Sequence, residues 1–105
     1  MIIEFEDNAL KELYLTEFTK DKNYKRLPKD IIKRYVKVVN YLRGARRVED
    51  LFFIKSLHYE KKVGNLHGIE AIWVNGQYRL LFRSSLNEQG VNTKILLTKI
   101  SKHYE

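Results

Sequence analysis

The chain has 105 residues and a net charge of +7, and its 44% of hydrophobic residues is typical of one folded domain spanning residues 1–105. It contains no cysteine, which excludes a disulfide framework, a thiolate metal site and a cysteine nucleophile. Since no apolar run approaches the roughly 20 residues of a membrane helix and the start at Met1–Glu6 is acidic, we expect a soluble, cytoplasmic domain without a signal peptide and with no membrane partner.

The N-terminal part of the chain predicts a strand followed by a helix. Met1–Phe5 alternates weakly between apolar and polar residues and predicts the strand. Residues 6–8 then supply acids and cap candidates where a helix begins. The helix is predicted to reach about Lys20, because apolar residues follow at spacings of three and four: Leu10, Leu13, Tyr14 and Phe18. The polar stretch Asp21–Arg26 predicts a loop.

A second helix is predicted to begin at Leu27-Pro28, since proline is tolerated in a first helical turn. Gly44 stands at a plausible C-cap position. The apolar stripe of this helix indicates core packing and comprises Ile31, Ile32, Tyr35, Val38, Val39 and Leu42.

Positive charge is concentrated in this region. Residues 20–47 contain 11 Lys and Arg against two Asp, a net charge of +9, so the rest of the chain sums to −2. Lys29, Lys33 and Lys37 lie at spacing four on a face other than the apolar stripe. The cluster has two interpretations: a solvated helix surface, or an electrostatic footprint for nucleic acid or an acidic protein.

The clearest local pattern in the sequence is a β-hairpin. Asn75-Gly76 separates two alternating runs, Ile69–Val74 and Gln77–Arg83, and predicts a two-residue type I′ turn. The apolar run Leu51–Leu57 before it has no clear periodicity, and His58–Gly68 reads as a loop.

A two-residue turn would place Trp73 opposite Tyr78 and Ile72 opposite Arg79. The face predicted to be core is then Ile69, Ala71, Trp73, Tyr78, Leu80 and Phe82. Arg79 and Arg83 would project together from the other face. There they would pair with Glu70 across the strands, remain solvated, or hold a phosphate in their planar donor forks.

A turn at Asn87–Gly90 precedes a last strand, roughly Thr93–Ile100, whose run Ile95-Leu96-Leu97 suits a central position. The order of elements therefore predicts an α+β domain. Its two helices, both from the N-terminal half, pack on a small, mainly antiparallel, twisted sheet.

The titratable side chains with catalytic potential are His58, His67, His103 and Tyr104. Three histidines without cysteine and without a metal-ligand spacing do not make a metal site, and no glycine-rich phosphate loop is present. We therefore expect neither a metal nor another cofactor.

The sequence of the hairpin also resembles that of a known protein family. The segment from Gly68 to Arg83, with Val74-Asn75-Gly76 followed by Tyr78-Arg79, resembles the hairpin of HigB-like toxins of the RelE/ParE superfamily of type II toxin–antitoxin systems. Leu57-His58 and the ending Ile100–Tyr104 are similar to two further segments of that family.

The resemblance implies a RelE-like fold and a metal-independent, ribosome-dependent mRNA endoribonuclease, in which a ribose 2′-hydroxyl attacks the scissile phosphate. Arg79 matches the family's catalytic arginine, His58 its loop histidine, and His103 and Tyr104 the residues of its tail. Candidate contacts to RNA are Arg83, Lys61, Lys62, Arg46 and Arg47.

The same resemblance implies three partners. A cognate antitoxin, typically a HigA-like helix-turn-helix protein, would neutralise the chain and bring it to operator DNA. The ribosome and mRNA are the other two.

Two alternatives remain open at this point. A ParE-like protein that binds and inhibits DNA gyrase without nuclease activity would share the fold. A stand-alone nucleic-acid-binding module would depend on residues 20–47 and bind without cleavage.

Overall fold

The computed structural model describes residues 1–102, and for Leu66, Asn92 and Thr93 it describes the backbone alone. Its main elements are β1 (Ile2–Phe5), α1 (Asn8–Thr16), α2 (Lys29–Gly44), β2 (Glu60–Lys61), β3 (Glu70–Trp73), β4 (Tyr78–Leu86) and β5 (Asn92–Lys102). The strands form one sheet in the order β1-β5-β4-β3-β2. Only the β1–β5 pair of these is parallel, so the predicted α+β class with a mainly antiparallel sheet is confirmed.

α1 ends earlier than predicted. The Asp7 side chain caps its start by accepting a hydrogen bond from the Leu10 N–H at 2.8 Å. The helix stops at Thr16, because Glu17 adopts a left-handed conformation (φ 59°) and donates its N–H to the Leu13 carbonyl. Phe18 therefore lies beyond the helix, 59% exposed, and its predicted place in the apolar stripe is wrong.

α2 agrees with its pattern. All six predicted stripe residues are buried, and the Tyr35 hydroxyl donates to the Leu10 carbonyl at 2.7 Å, which joins α2 to α1. Two details differ: Pro28 is the N-cap, outside the first turn, and Gly44 is the last helical residue, followed by Ala45 in an extended conformation. The three lysines at spacing four are exposed.

The run before the hairpin forms short 3-10 helices, Val48–Phe53 and Lys55–Leu57. Leu51 and Leu57 are fully buried, whereas Phe52 and Phe53 are exposed. The predicted loop 58–68 contains a third 3-10 turn, Gly64–Leu66, and β2, the short edge strand that pairs antiparallel with β3.

The register of the predicted hairpin is wrong by one residue. Trp73 lies opposite Arg79, and Ile72 lies opposite Leu80. Neither Asn75 nor Gly76 has the positive φ that a type I′ turn requires. Instead the Asn75 side-chain oxygen accepts from the N–H groups of Gln77 and Tyr78 at 2.9 and 2.8 Å. This side-chain bridge closes a three-residue connection between Val74 and Tyr78.

The shift exchanges the two faces of β3. Ile72 and Val74 are fully buried with Leu80 and Phe82 against the helices, and Trp73 joins Arg79 on the opposite side. The predicted core face is therefore right for β4 at Leu80 and Phe82 and wrong for β3 at Trp73.

β5 is central, as predicted, between β1 and β4. Ile95 and Leu97 are fully buried, and the strand extends two residues past the predicted end, to Lys102. The predicted turn at Asn87–Gly90 is present, with Gly90 at φ 78° and the Asn87 N–H donating to the Val91 carbonyl at 2.7 Å. No helix within residues 1–102 has the length and apolarity to cross a bilayer.

Alkaline pH is expected to destabilise this fold. Burial raises the pKa of Tyr24 and of Tyr35 above the ordinary value of about 10. The unfolded chain therefore loses these protons first, so the free energy of unfolding is retained below about pH 10 and falls as the pH rises further. Urea unfolding at a series of pH values measures this.

Tyr35→Phe is the control for that measurement. It removes one buried hydrogen bond, at a cost of about 1 kcal/mol near neutral pH, and it flattens the alkaline decline because phenylalanine does not ionise. An unfolding free energy that stays constant from neutral pH to about pH 11 would contradict the prediction.

Candidate functional site

The helices cover one face of the sheet, and the other face, which we call the open face, carries the candidate site. Along β3, β4 and β5 its residues alternate with the core residues or lie opposite one another across the strands. They are Ala71, Trp73, Arg79, Leu81, Arg83, Leu96, Lys99 and Ser101.

Arg79 is held firmly at one end of the open face. It is only 7% exposed, and its Nη1 donates to the carbonyls of Asn75 and Tyr78 at 2.9 and 3.3 Å. Its guanidinium carbon lies 4.1 Å from the centroid of the Trp73 ring. Burial lowers the pKa of Arg79, and the charge of Glu60 opposes that shift. An arginine side chain keeps its positive charge in proteins.

The His58 side chain contacts the same tryptophan. Its ring stacks on Trp73 with centroids 3.7 Å apart and planes 25° from parallel. The backbone of His58 is left-handed (φ 46°), and its N–H donates to the Lys55 carbonyl at the end of the second 3-10 helix. Trp73 therefore contacts both Arg79 and His58, two residues that are 21 positions apart in the chain.

The end of β5 lies beside Arg79. Ser101 pairs with Arg79 and Lys102 with Tyr78, and the Lys102 ammonium lies 5.9 Å from the centroid of the Tyr78 ring. A notch of about 220 Å³ next to this strand end is lined by Tyr78, Lys102 and Arg26, the last from the basic segment. His103 and Tyr104, the two predicted tail residues, lie outside the described part of the chain.

Arg83 occupies the open face beyond Leu81. Its guanidinium packs against Gly68, where a Cβ would come within 2.8 Å of Nη1. Gly68 has φ +89°, a backbone conformation that favours glycine, whereas the Arg83 guanidinium is the end of a flexible side chain and could move to accommodate a Cβ.

The other four predicted RNA contacts lie at the end of β2 and in the turn after α2. Lys61 and Lys62 line an open groove of about 660 Å³ beside the first 3-10 helix, and Lys62 forms an ion pair with Glu60. Arg46 and Arg47 lie in the turn after α2. Arg47 is within 4 Å of two exposed carboxylates there, those of Glu49 and Asp50.

Glu70 pairs with neither sheet arginine, so that interpretation of Arg79 and Arg83 is wrong. Its buried carboxylate accepts hydrogen bonds from the Tyr59 hydroxyl and from the backbone and hydroxyl of Ser84. Burial first, and then the bond to Glu70, raise the pKa of Tyr59. This network stands on the helix side of the sheet, because Glu70 pairs with Phe82.

Sequence reasoning missed three members of the open face: the stacking role of Trp73, the carboxylate of Glu60 and the ammonium of Lys99. Glu60 pairs with Ala71 across β2 and β3, and Lys99 pairs with Leu81 across β4 and β5. Only the strand registers place them: the predicted β3–β4 register was one residue out, and the β2–β3 and β4–β5 registers were not predicted from the sequence. Within residues 1–102 no three His, Asp or Glu side chains cluster in a way that would hold a metal ion.

The arrangement suits an anionic ligand. A fixed guanidinium supplies a positive charge and a planar fork of N–H donors, the chemistry that phosphate oxygens prefer. The imidazole of His58, which stacks on the same tryptophan, has ring nitrogens that can donate or accept a hydrogen bond.

Comparison with known proteins places the chain among bacterial toxins. A family model described as the RelE-like toxin of the type II toxin–antitoxin system HigB matches residues 3–98. Toxin HigB-1 of Vibrio cholerae serotype O1 is 32% identical over 83 residues, which are 79% of this chain and 83% of that protein.

Two solved structures share the fold. A YoeB/ParE toxin from Agrobacterium tumefaciens superposes with a TM-score of 0.59 at 12% identity, covering 99% of this chain and 100% of that one. The RelBE2 toxin–antitoxin complex from Mycobacterium tuberculosis contains a chain with a TM-score of 0.50 at 19% identity, covering 97% and 96%. At these identities the likeness concerns the fold.

Proposed function

We propose that this chain, which belongs to the HigB-like family of RelE-like toxins of type II toxin–antitoxin systems, is an endoribonuclease that cleaves messenger RNA on the ribosome in the cytoplasm. The observation that carries the proposal is the convergence of Arg79 and His58 on Trp73. A protein that acts only by binding does not require a buried guanidinium and an imidazole to contact the same tryptophan.

The proposed reaction needs no group beyond the RNA and the protein. The ribose 2′-oxygen attacks the adjacent phosphorus, a new bond forms between them, and the bond from phosphorus to the 5′-oxygen of the next nucleotide breaks. The products are a 2′,3′-cyclic phosphate and a 5′-hydroxyl. One proton leaves the 2′-hydroxyl and one reaches the departing 5′-oxygen, so a base and an acid are required.

Arg79 stabilises the additional negative charge that the phosphate oxygens carry in the transition state. Two carbonyls and the Trp73 ring hold its guanidinium before RNA arrives, so little reorganisation is needed during the reaction.

Proton transfer is assigned to the group formed by His58, His103 and Tyr104. His58 contacts Trp73 beside Arg79, and His103 and Tyr104 follow Lys102 directly in the sequence. The pH–rate profiles of the single variants distinguish the base from the acid within this group.

His58→Asn is expected to lower the cleavage rate by roughly 10²-fold, the typical contribution of a general acid or base, with little effect on folding. Asparagine tolerates the left-handed backbone of this position, so the variant removes the imidazole and keeps the turn. Single-turnover cleavage of a ribosome-bound message measures the rate. An Asn variant as fast as the parent would remove His58 from the reaction.

The partners follow from charge and family. The exposed lysines of α2 and the arginines of the following turn, Arg46 and Arg47, are proposed to face ribosomal RNA. Lys61, Lys62 and Arg83 are proposed to contact mRNA. The RelBE2 relative is a complex with its antitoxin, and we propose that this chain is likewise bound by a cognate helix-turn-helix antitoxin, through which it reaches operator DNA.

Induction of the chain in a bacterium, with transcript ends mapped, tests the function. We expect growth arrest with new ends inside translated messages. Arrest with a DNA-damage response and without such ends would move the target to gyrase.

A further inference from the structure

β5 contains an irregularity directly beside the candidate site. Leu81 pairs with Lys99 and Phe82 with Leu97, so Thr98 is an extra residue that has no partner on β4. Its hydroxyl donates to the Leu81 carbonyl at 3.1 Å, which secures the bulge. Bulges of this kind are common next to functional sites, where they redirect side chains.

The bulge decides which face Lys99 occupies. Leu97 and Ile100 are three positions apart, yet both are buried in the core. In an unbroken strand with Leu97 inward, Lys99 would point into the core and Ile100 would point out. The extra residue reverses the alternation, so Ile100 is buried and Lys99 is exposed on the open face.

Lys99 stands between the two arginines of β4. Arg79 and Arg83 are the residues two positions before and after its partner Leu81, so both are diagonal neighbours of Lys99; on the Arg79 side, where the pairing is regular, the Cα atoms are roughly 7–8 Å apart. Within residues 1–102, neither Lys99 nor Arg83 takes part in an ion pair.

Three cations so close together repel one another, which costs stability in the absence of an anion. The acids that the register places on this face are already engaged: Glu4 pairs with Lys94 and Glu60 with Lys62. A bound polyanion would offset the repulsion.

We infer that Lys99 binds the phosphate adjacent to the one that Arg79 holds, so that Arg79, Lys99 and Arg83 form a track for a single RNA strand across the open face. This inference rests on the proposed function and adds to it a binding residue and the direction of the strand, from Arg79 along β4 toward Arg83. The bulge at Thr98 is the feature that puts Lys99 on the open face.

The chain offers a matched control. Lys94 lies on the same strand and the same face, opposite Ser85, but its ammonium is 3.6 Å from the Glu4 carboxylate. Lys94→Ala removes the same charge from the face without touching the track.

The test is the binding of a short single-stranded RNA whose riboses are 2′-O-methylated and therefore resist cleavage, measured over a range of salt concentrations. Lys99→Ala is expected to weaken binding about fivefold, the upper range for a solvent-exposed ion pair, and to reduce the slope of log affinity against log salt by roughly 0.7. Lys99→Arg is expected to restore both, and Lys94→Ala to leave both unchanged.

Equal effects of Lys99→Ala and Lys94→Ala would overturn the inference, because the loss would then reflect net charge alone. Failure of the parent to bind the probe at low salt would overturn it as well. Both results are independent of transcript cleavage, on which the proposed function is judged, so the two proposals fail separately.

Discussion

Replacing Arg79 with alanine is expected to reduce cleavage of a ribosome-bound message by roughly 10²–10³-fold, as loss of one preorganised donor typically does, and to abolish growth arrest. The reason is electrostatic, because the guanidinium is expected to stabilise the negative charge that develops on the phosphate. It is buried on the open face and is held in place by the Asn75 and Tyr78 carbonyls. Folding should survive, because Arg79 lies outside the helix-facing core. Circular dichroism and a thermal melt check this.

Two further variants sharpen the result. Arg79→Lys keeps a positive charge and loses the planar fork, so it should recover only part of the rate. Arg43→Ala is the matched control, because Arg43 also lies over an aromatic ring, 5.8 Å from the centroid of Tyr14, and donates to its hydroxyl. Arg43→Ala cleaving as the parent, with Arg79→Ala inactive, identifies the site. An Arg79→Ala protein that arrests growth normally would contradict the assignment.

Trp73→Leu is expected to have the second largest effect, a loss of roughly 10²-fold in kcat, which is what misplacing catalytic groups by about 1 Å can cost. Leucine retains apolar bulk but offers no ring to the Arg79 guanidinium or the His58 imidazole. Trp73 acts as a positioning residue here, so KM should change little.

Trp73→Phe distinguishes positioning from folding. It presents a smaller ring for the same two contacts, and we expect it to recover most of the lost kcat. Leu and Phe variants with equal kcat, or a Leu variant that changes KM alone, would contradict the role of the stack.

The sequence predicted the two helices and the order of the main elements along the chain, because the relevant patterns are local. The α2 stripe has a clear helical period, and all six residues are buried. The end of α1 was harder, since the left-handed Glu17 stops it without the glycine that usually marks such a position.

The site could be predicted only in part. Arg79 and His58 were found through the resemblance. Their shared contact with Trp73 depends on the register between β3 and β4, and the register predicted from Asn75-Gly76 was wrong by one residue. The Asn75 side chain bridges Gln77 and Tyr78, and nothing in the dipeptide distinguishes that connection from a type I′ turn. The Thr98 bulge likewise has no sequence pattern of its own, so Lys99 became visible only from the paired strands.

The most direct test of the ribonuclease account is cleavage of a ribosome-bound message that carries a single 2′-deoxyribose at the mapped cleavage position, compared with the all-ribose message. The account predicts that the all-ribose message yields a 2′,3′-cyclic phosphate end and that the 2′-deoxy message is not cut at that position, because its attacking oxygen is missing. Equal cutting of both messages would contradict attack by the 2′-hydroxyl, and no cutting of either would contradict ribonuclease function.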